Sequence, residues 1–139
     1  MAEGRGKRAG PSEPVVLSCI IENEGREVLI CSEAPAGAPT RTWEFPTGLK
    51  KQGESPEAGM KRIAQDRAGV SIDIHTGQPP IADEYQGKKA VYRFFLATLV
   101  SGEVDTHDYK QVRWVQPGQL CEYDYAPVFQ SVVDWYTEA

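Results

Sequence analysis

The sequence predicts a single α/β domain in which a mixed β-sheet lies between helices. Three observations favour this fold. Apolar and β-branched runs typical of strands occur on both sides of a segment that carries helical start and stop signals. A second stretch near the C-terminus repeats apolar residues at helical spacing. The 139 residues suffice for one ordinary domain with its own hydrophobic core.

The domain is predicted to begin with a β-hairpin. Residues 15–22 form a β-branched run, residues 27–31 form a second apolar run, and an Asn-Glu-Gly turn signal separates them. A loop rich in proline and glycine follows at 34–40. Residues 42–45 are short and aromatic, which favours a brief third strand, and residues 46–54 are predicted to form a loop.

The next segment has the features of a capped helix. Ser55 can cap the helix, Pro56 suits its first position, and Glu57 places a negative charge at the positive end of the helix dipole. The helix should run to about Ala68. Gly69 then provides the left-handed residue that commonly ends a helix.

The second half of the chain is predicted to add strands and a final helix. Strands are expected at 70–74, 81–85, 89–100 and 111–115, and one helical turn at 117–121. The run 89–100 is long, apolar and aromatic, which favours a central strand. Residues 126–137 carry an apolar stripe at helical spacing, so we expect this helix to pack on the sheet.

Composition and charge exclude several classes of protein. The net charge of −5 argues against a dedicated nucleic-acid-binding protein, and no apolar run approaches the roughly 20 residues that a membrane span needs. Cys19, Cys31 and Cys121 are odd in number and form no CxxC pair. We therefore expect neither a disulfide framework nor a structural zinc site, and we expect a cytoplasmic location.

The first residues are predicted to form a tail. Residues 1–13 are rich in glycine, proline and basic side chains, which is typical of a flexible, solvated segment. Residues 14–139 are predicted to form the domain. The cations of the tail also allow a contact with phosphate.

A motif with fixed spacing lies around the predicted helix. Gly48 is followed after five residues by Glu54, after seven more by Arg62, and then by Gly69 and Val70. With the preceding Trp-Glu-Phe-Pro, this pattern resembles the Nudix family. The resemblance implies an α/β/α sandwich that hydrolyses nucleoside diphosphate-linked compounds. It also implies Mg²⁺ or Mn²⁺ as cofactor if the protein is active, held by carboxylates on one helix face, and no cofactor otherwise.

The chain departs from this family at the positions that should hold the metal. The family's three glutamates correspond to Ile63, Asp66 and Arg67, whose side chains sum to zero charge instead of −3. Isoleucine offers no ligand atom and arginine cannot deprotonate to become one. Asp66 and Glu54 remain as residual catalytic and metal-binding candidates. Thr47 replaces a glycine whose carbonyl also binds metal in the family.

Two hypotheses follow for Arg67. Its guanidinium can bind the phosphate oxygens of a ligand directly, or it can pair with Asp66, Glu44 or Glu54 and fill the vacant metal position. Arg62, which orients a catalytic glutamate in the family, is expected to cap or to pair locally.

A second resemblance is to the diadenosine-tetraphosphate-hydrolase branch of the family. It covers residues 88–104 and the following Arg-Trp pair. It implies substrate contacts from Lys89 and Tyr92.

This branch usually supplies one more glutamate before the Arg-Trp pair. Here Lys110 or Gln111 stands near that position. Asp105, His107 or Asp108 can substitute only if the loop brings them to the site.

Two functions remain open at this stage. The first is a weak or inactive pyrophosphohydrolase that binds a nucleotide or nucleoside diphosphate derivative. The second is an active divalent-metal-dependent hydrolase of a compound such as a dinucleoside polyphosphate. Whether the protein is an enzyme therefore stays open, and the sequence predicts no oligomeric state.

Overall fold

The computed structural model describes residues 13–35, 43–104 and 108–138 of the chain. The predicted tail therefore lies almost entirely outside the described residues, as do Asp105, His107 and most of the predicted loop at 34–40. No helix in the described part is long and apolar enough to cross a membrane.

The order of elements matches the predicted α/β class. The strands are β1 (Val15–Glu22), β2 (Val28–Ser32), β3 (Thr47–Leu49), β4 (Ser71–Gly77), β5 (Ile81–Tyr85), β6 (Lys88–Ser101) and β7 (Gln111–Val115). The helices are α1 (Pro56–Ile63), which continues as a π-helical turn over Ala64–Ala68, and α2 (Pro127–Glu138). A 3-10 turn at Pro117–Glu122 precedes α2.

The strands form one mixed sheet, as predicted. Its order is β4-β6-β1-β2-β7, and β3 and β5 pair with β1 and β6. The β1–β6 pair is parallel and the other pairs are antiparallel. The long apolar run predicted as a central strand is β6, which contacts β1, β4 and β5.

Both faces of β1 are buried, which explains its continuous apolar sequence. Val16 and Ile20 pack with Phe129 of α2, whereas Leu17 and Cys19 pack with Met60 of α1. The sheet therefore lies between two helical layers, as the fold prediction required. Cys19 and Cys31 are buried free thiols that serve as core hydrophobes.

Two local predictions differ from the structure. Trp43 and Glu44 form isolated bridges instead of a strand, and the strand β3 begins at Thr47, in the segment predicted as a loop. Three residues are too few for an alternation signal, and pairing with β1 imposes the extended backbone. The helix ends at Gly69 with a φ of 72°, as predicted, but its last turn is π-helical.

Candidate functional site

Thr47 and Arg67, which lie within the segment that carries the spacing motif, line a pocket of about 320 Å³. The pocket lies between the loop before β3, the π-helical turn and the β5–β6 hairpin. The lining residues that matter for its chemistry are Glu33, Glu44, Thr47, Arg67, Tyr85 and Tyr92.

Ile63 faces the protein interior. Its side chain is 2% exposed and packs in the core between α1 and the sheet. A Cβ atom added to Gly48 would lie 3.0 Å from Ile63 Cγ1, so the glycine lets β3 approach the helix. Ile63 stands where the resemblance places a metal-binding glutamate, and its side chain makes apolar contacts.

Arg67 is held by four groups of the chain. Its Nη1 donates to Thr47 O at 2.7 Å, and its Nη2 donates to Glu33 Oε2 at 3.1 Å. Its Nε lies 3.4 Å from Asp108 Oδ2, and its guanidinium stacks over the Tyr109 ring at 4.5 Å from the centroid. The guanidinium thus places a fixed positive charge directly against the Thr47 carbonyl.

The peptide of Thr47 is fixed from the other side as well. Its amide donates to the hydroxyl of Tyr109 at 3.1 Å, and its own hydroxyl lies 2.9 Å from Ser18 Oγ on β1. That hydroxyl also donates to Phe45 O at 2.6 Å. Tyr109 is fully buried, and burial raises the pKa of its phenol. Hydrogen bonds within the chain therefore hold the Thr47 peptide in place.

Glu44 is a half-buried carboxyl beside this cluster. Burial and the nearby Glu33 raise its pKa to about 7, although Arg67 and a hydrogen bond from Tyr109 oppose the rise. The Tyr109 hydroxyl donates to Glu44 Oε2 at 3.4 Å. The charge of Glu44 is therefore expected to change near neutral pH.

Glu54, just before α1, forms an ion pair with Arg62, in agreement with the local pairing expected for Arg62. Arg62 Nη2 donates to Glu54 Oε1 at 2.6 Å and Arg62 Nε donates to Glu54 Oε2 at 3.1 Å. Lys51 N also donates to Glu54 Oε1, and Arg62 Nη2 donates to Leu49 O. Hydrogen bonds from Arg62 and Lys51 lower the pKa of Glu54 to about 2.

Asp66 does not join Arg67. Its side chain is 61% exposed and lies 3.8 Å from Arg62 Nη1. Adjacent residues on a helix point in directions about 100° apart, so Asp66 and Arg67 face different sides. The expected pairing of Arg67 with Asp66 or Glu54 is therefore wrong. The described ion-pair partners of Arg67 are Glu33 and Asp108, and Glu44 acts on Arg67 only through its charge.

The two residues suggested by the second resemblance lie on opposite faces of β6. Tyr92 lines the pocket, is buried, and donates its hydroxyl to Glu84 O at 2.8 Å. Lys89 is exposed and three positions away along the strand, so alternation turns it to the other face. Only Tyr92 can contribute to the pocket in this arrangement.

The loop before β7 supplies Asp108 and Tyr109 to the site. Lys110 is exposed, and Gln111 Nε2 donates to the carbonyls of Ala34 and Pro35. Sequence reasoning missed Glu33 and Tyr109, because no motif marks them. The β2–β7 register, in which Ser32 faces Gln111, brings both to the same end of the sheet.

The donor groups do not fit a divalent metal centre. Among residues 13–35, 43–104 and 108–138, no three His, Cys, Asp or Glu side chains are arranged to hold a metal ion. The Thr47 carbonyl, which the resemblance assigns to the metal, already accepts a hydrogen bond from a cation. A second cation at this oxygen would be repelled at short range.

Comparisons with known proteins agree with the fold. The chain is 25% identical over 114 residues to the 8-oxo-dGTP diphosphatase of Escherichia coli K12, with 82% of this chain and 88% of the relative covered. Its fold matches the solution structure of the E. coli ORF135 protein with a TM-score of 0.72, at 18% identity and covering 93% and 94% of the two chains. It also matches a C. elegans Ap4A hydrolase binary complex with a TM-score of 0.71, at 18% identity and covering 90% and 96%.

The decisive comparison is with the family as a whole. The NUDIX domain matches residues 12–136, which include every element of the sheet and both helical layers. The chain therefore belongs to the NUDIX domain family.

Proposed function

We propose that this protein is a Nudix domain with a degraded metal site, which binds a nucleotide or nucleoside diphosphate derivative and hydrolyses it weakly or not at all. In this proposal an arginine of the chain replaces the catalytic cation. Residues 14–139 form the binding domain and residues 1–13 a tail. The buried free thiols of Cys19 and Cys31 support a cytoplasmic location.

The observation that carries the proposal is the 2.7 Å hydrogen bond from Arg67 Nη1 to Thr47 O. A metal ion at this carbonyl would lie close to the guanidinium, and the repulsion between the two positive charges disfavours metal binding there. Arginine remains charged at every physiological pH, so it does not vacate the position by losing a proton.

The remaining carboxylates support the same conclusion. Glu54 is occupied by Arg62, and Asp66 is exposed and turned away from the pocket. Ile63 contributes only packing. The residual catalytic pair proposed from the sequence, Glu54 and Asp66, is therefore weak as a metal site.

Nucleotide derivatives are proposed as ligands on two grounds. The relatives described above carry the names of an 8-oxo-dGTP diphosphatase and an Ap4A hydrolase. The pocket combines a guanidinium with the aromatic rings of Tyr85 and Tyr92, which suits a phosphate joined to a nucleobase. A placement in the diadenosine-tetraphosphate branch stays a proposal, and it rests on Tyr92 rather than Lys89.

The alternative is an active divalent-metal-dependent hydrolase. It is favoured by the name of the E. coli relative and by the carboxylates Glu33, Glu44 and Asp108 near Arg67. In that case Arg67 would have to leave the Thr47 carbonyl before metal binds. The two functions differ in their response to Mg²⁺ or Mn²⁺.

A hydrolysis assay separates the two functions. We expect this protein, with Mg²⁺ or Mn²⁺, to cleave 8-oxo-dGTP at least about a hundredfold more slowly than the E. coli 8-oxo-dGTP diphosphatase measured in parallel, and to cleave ADP-ribose and diadenosine tetraphosphate slowly or not at all. Phosphate-containing products are measured by chromatography. Turnover at a rate comparable with the relative, abolished by Asp66→Asn, would establish the hydrolase instead.

A further inference from the structure

We infer that the outward half of the Arg67 guanidinium is a metal-independent binding site for the phosphate oxygens of a diphosphate ligand. In the ligand-free protein the carboxylates of Glu33 and Asp108 occupy this site as internal anions. The inference rests on the proposed function, because it names the group that contacts the ligand and the group that competes with it.

The inward half of the guanidinium is fixed. Nη1 donates to the carbonyl of Thr47, and the face of the guanidinium lies on the ring of Tyr109. Both partners are buried, and Tyr109 also accepts a hydrogen bond from the Thr47 amide. These contacts fix the orientation of the guanidinium, so its remaining N–H donors point in one direction. This lowers the entropic cost of binding a phosphate.

The outward half is exchangeable. Nη2 and Nε contact Glu33 and Asp108 at 3.1 and 3.4 Å, and these two side chains are 61% and 46% exposed. Exposed ion pairs contribute little to stability, so their replacement by another anion costs little. The two free oxygens of a phosphate fit the planar fork of arginine as a carboxylate does.

The pocket borders this half of the guanidinium at Nη2, because Glu33, the partner of Nη2, lines the pocket. Arg67, Glu33 and Thr47 line it together with Tyr85 and Tyr92, and its volume of about 320 Å³ can hold part of a nucleotide. A diphosphate placed against Arg67 therefore has room for an attached base or sugar. Removal of the Glu33 charge should make this exchange easier, since ligand and Glu33 compete for the same N–H group.

Glu44 should make phosphate binding at this site depend on pH. Its carboxyl has a pKa of about 7, and it lines the same pocket as Arg67. The other charged or titratable groups that act on or respond to Glu44 are Arg67, Glu33, Tyr109, Cys31, Tyr85 and Tyr92. Ionised Glu44 repels a phosphate, so binding should tighten as the pH falls through 7.

Calorimetry in the presence of EDTA tests the inference. The probes are P1,P2-di(adenosine-5′) diphosphate and its guanosine counterpart, whose diester phosphates keep a constant charge between pH 6 and 8. Glu33→Gln should bind about threefold to tenfold more tightly than the wild type. Arg67→Lys, which keeps the charge but loses the fork, should bind at least about tenfold more weakly.

Controls separate this effect from a general change in charge or folding. Glu24→Gln removes an equal charge from an exposed turn outside the pocket and should leave the affinity unchanged. Far-ultraviolet circular dichroism checks that each variant is folded. Between pH 8 and pH 6 the wild type should bind about threefold more tightly, and Glu44→Gln should show no such change.

The outcomes distinguish the inference from the proposed function. Metal-free binding whose affinity is the same in the wild type, Glu33→Gln and Arg67→Lys would place the phosphate elsewhere and overturn only the inference. The inference would also be overturned if neither probe binds to the wild type or to Glu33→Gln at millimolar concentration. Rapid metal-dependent hydrolysis would instead overturn the proposed function.

Discussion

Replacement of Ile63 by glutamate should lower the free energy of unfolding by about 3 kcal/mol or more. The substitution places in this chain the residue that the Nudix resemblance leads one to expect. Ile63 is 2% exposed and packs against Gly48 and the core between α1 and the sheet. A glutamate there loses the apolar contact and buries a carboxylate in the core between α1 and the sheet.

Denaturant unfolding measures this loss. Ile63→Leu is the matched control, since it keeps the apolar volume and should cost less than about 1.5 kcal/mol. The same titration is repeated with millimolar Mn²⁺. A glutamate variant as stable as the wild type, or one that Mn²⁺ restores to wild-type stability, would show that a metal-binding environment survives at this position.

Replacement of Glu44 by glutamine should stabilise the protein at pH 8 by about 2 kcal/mol and have little effect at pH 5. The folded state raises the pKa of Glu44 from its ordinary value of 4.5 to about 7. Between these values the folded state binds more protons than the unfolded state. The wild type therefore loses stability as the pH rises from about 4.5 to 7, and glutamine, which does not ionise, removes this loss.

Unfolding free energies measured from pH 5 to pH 8 test this prediction. Glu24→Gln serves as the control, because it makes the same chemical change at an exposed turn. The difference between Glu44→Gln and the wild type should grow with pH, whereas the control curve should run parallel to the wild type. A constant difference at every pH would mean that Glu44 titrates normally.

The fold was predictable from the sequence where a local pattern reports burial. Apolar runs predicted β1 and β6, and the capping residue Ser55 and the terminal Gly69 predicted the bounds of the helical segment. The strand β3 was not predictable. It has three residues, and its extended backbone comes from pairing with β1 rather than from its own sequence.

The site was predictable only in part. The spacing motif singled out Glu54, Arg62 and Arg67 and predicted a local role for Arg62, but the structure alone shows that its partner is Glu54. The partners of Arg67 were not predictable, because Glu33 and Asp108 are 34 and 41 positions away. Their approach follows from the β2–β7 pairing, which no short-range pattern reveals.

The same separation limits what the sequence alone says about the proposed chemistry. The replacement of a glutamate by arginine can be read in the sequence, but its consequence depends on what the guanidinium contacts. Here it contacts the Thr47 carbonyl and the Tyr109 ring. In the proposed function, this single side chain supplies both the positive charge and the rigidity that a metal would otherwise bring.

The most direct test of this account is a titration of the wild-type protein with Mn²⁺, followed by electron paramagnetic resonance, with P1,P2-di(adenosine-5′) diphosphate present. Mn²⁺ is chosen because the free ion gives a signal that disappears on binding. We predict no saturable protein-dependent binding below about 1 mM Mn²⁺, since Arg67 holds the Thr47 carbonyl. A saturable site at micromolar Mn²⁺ that Mg²⁺ displaces would contradict the account.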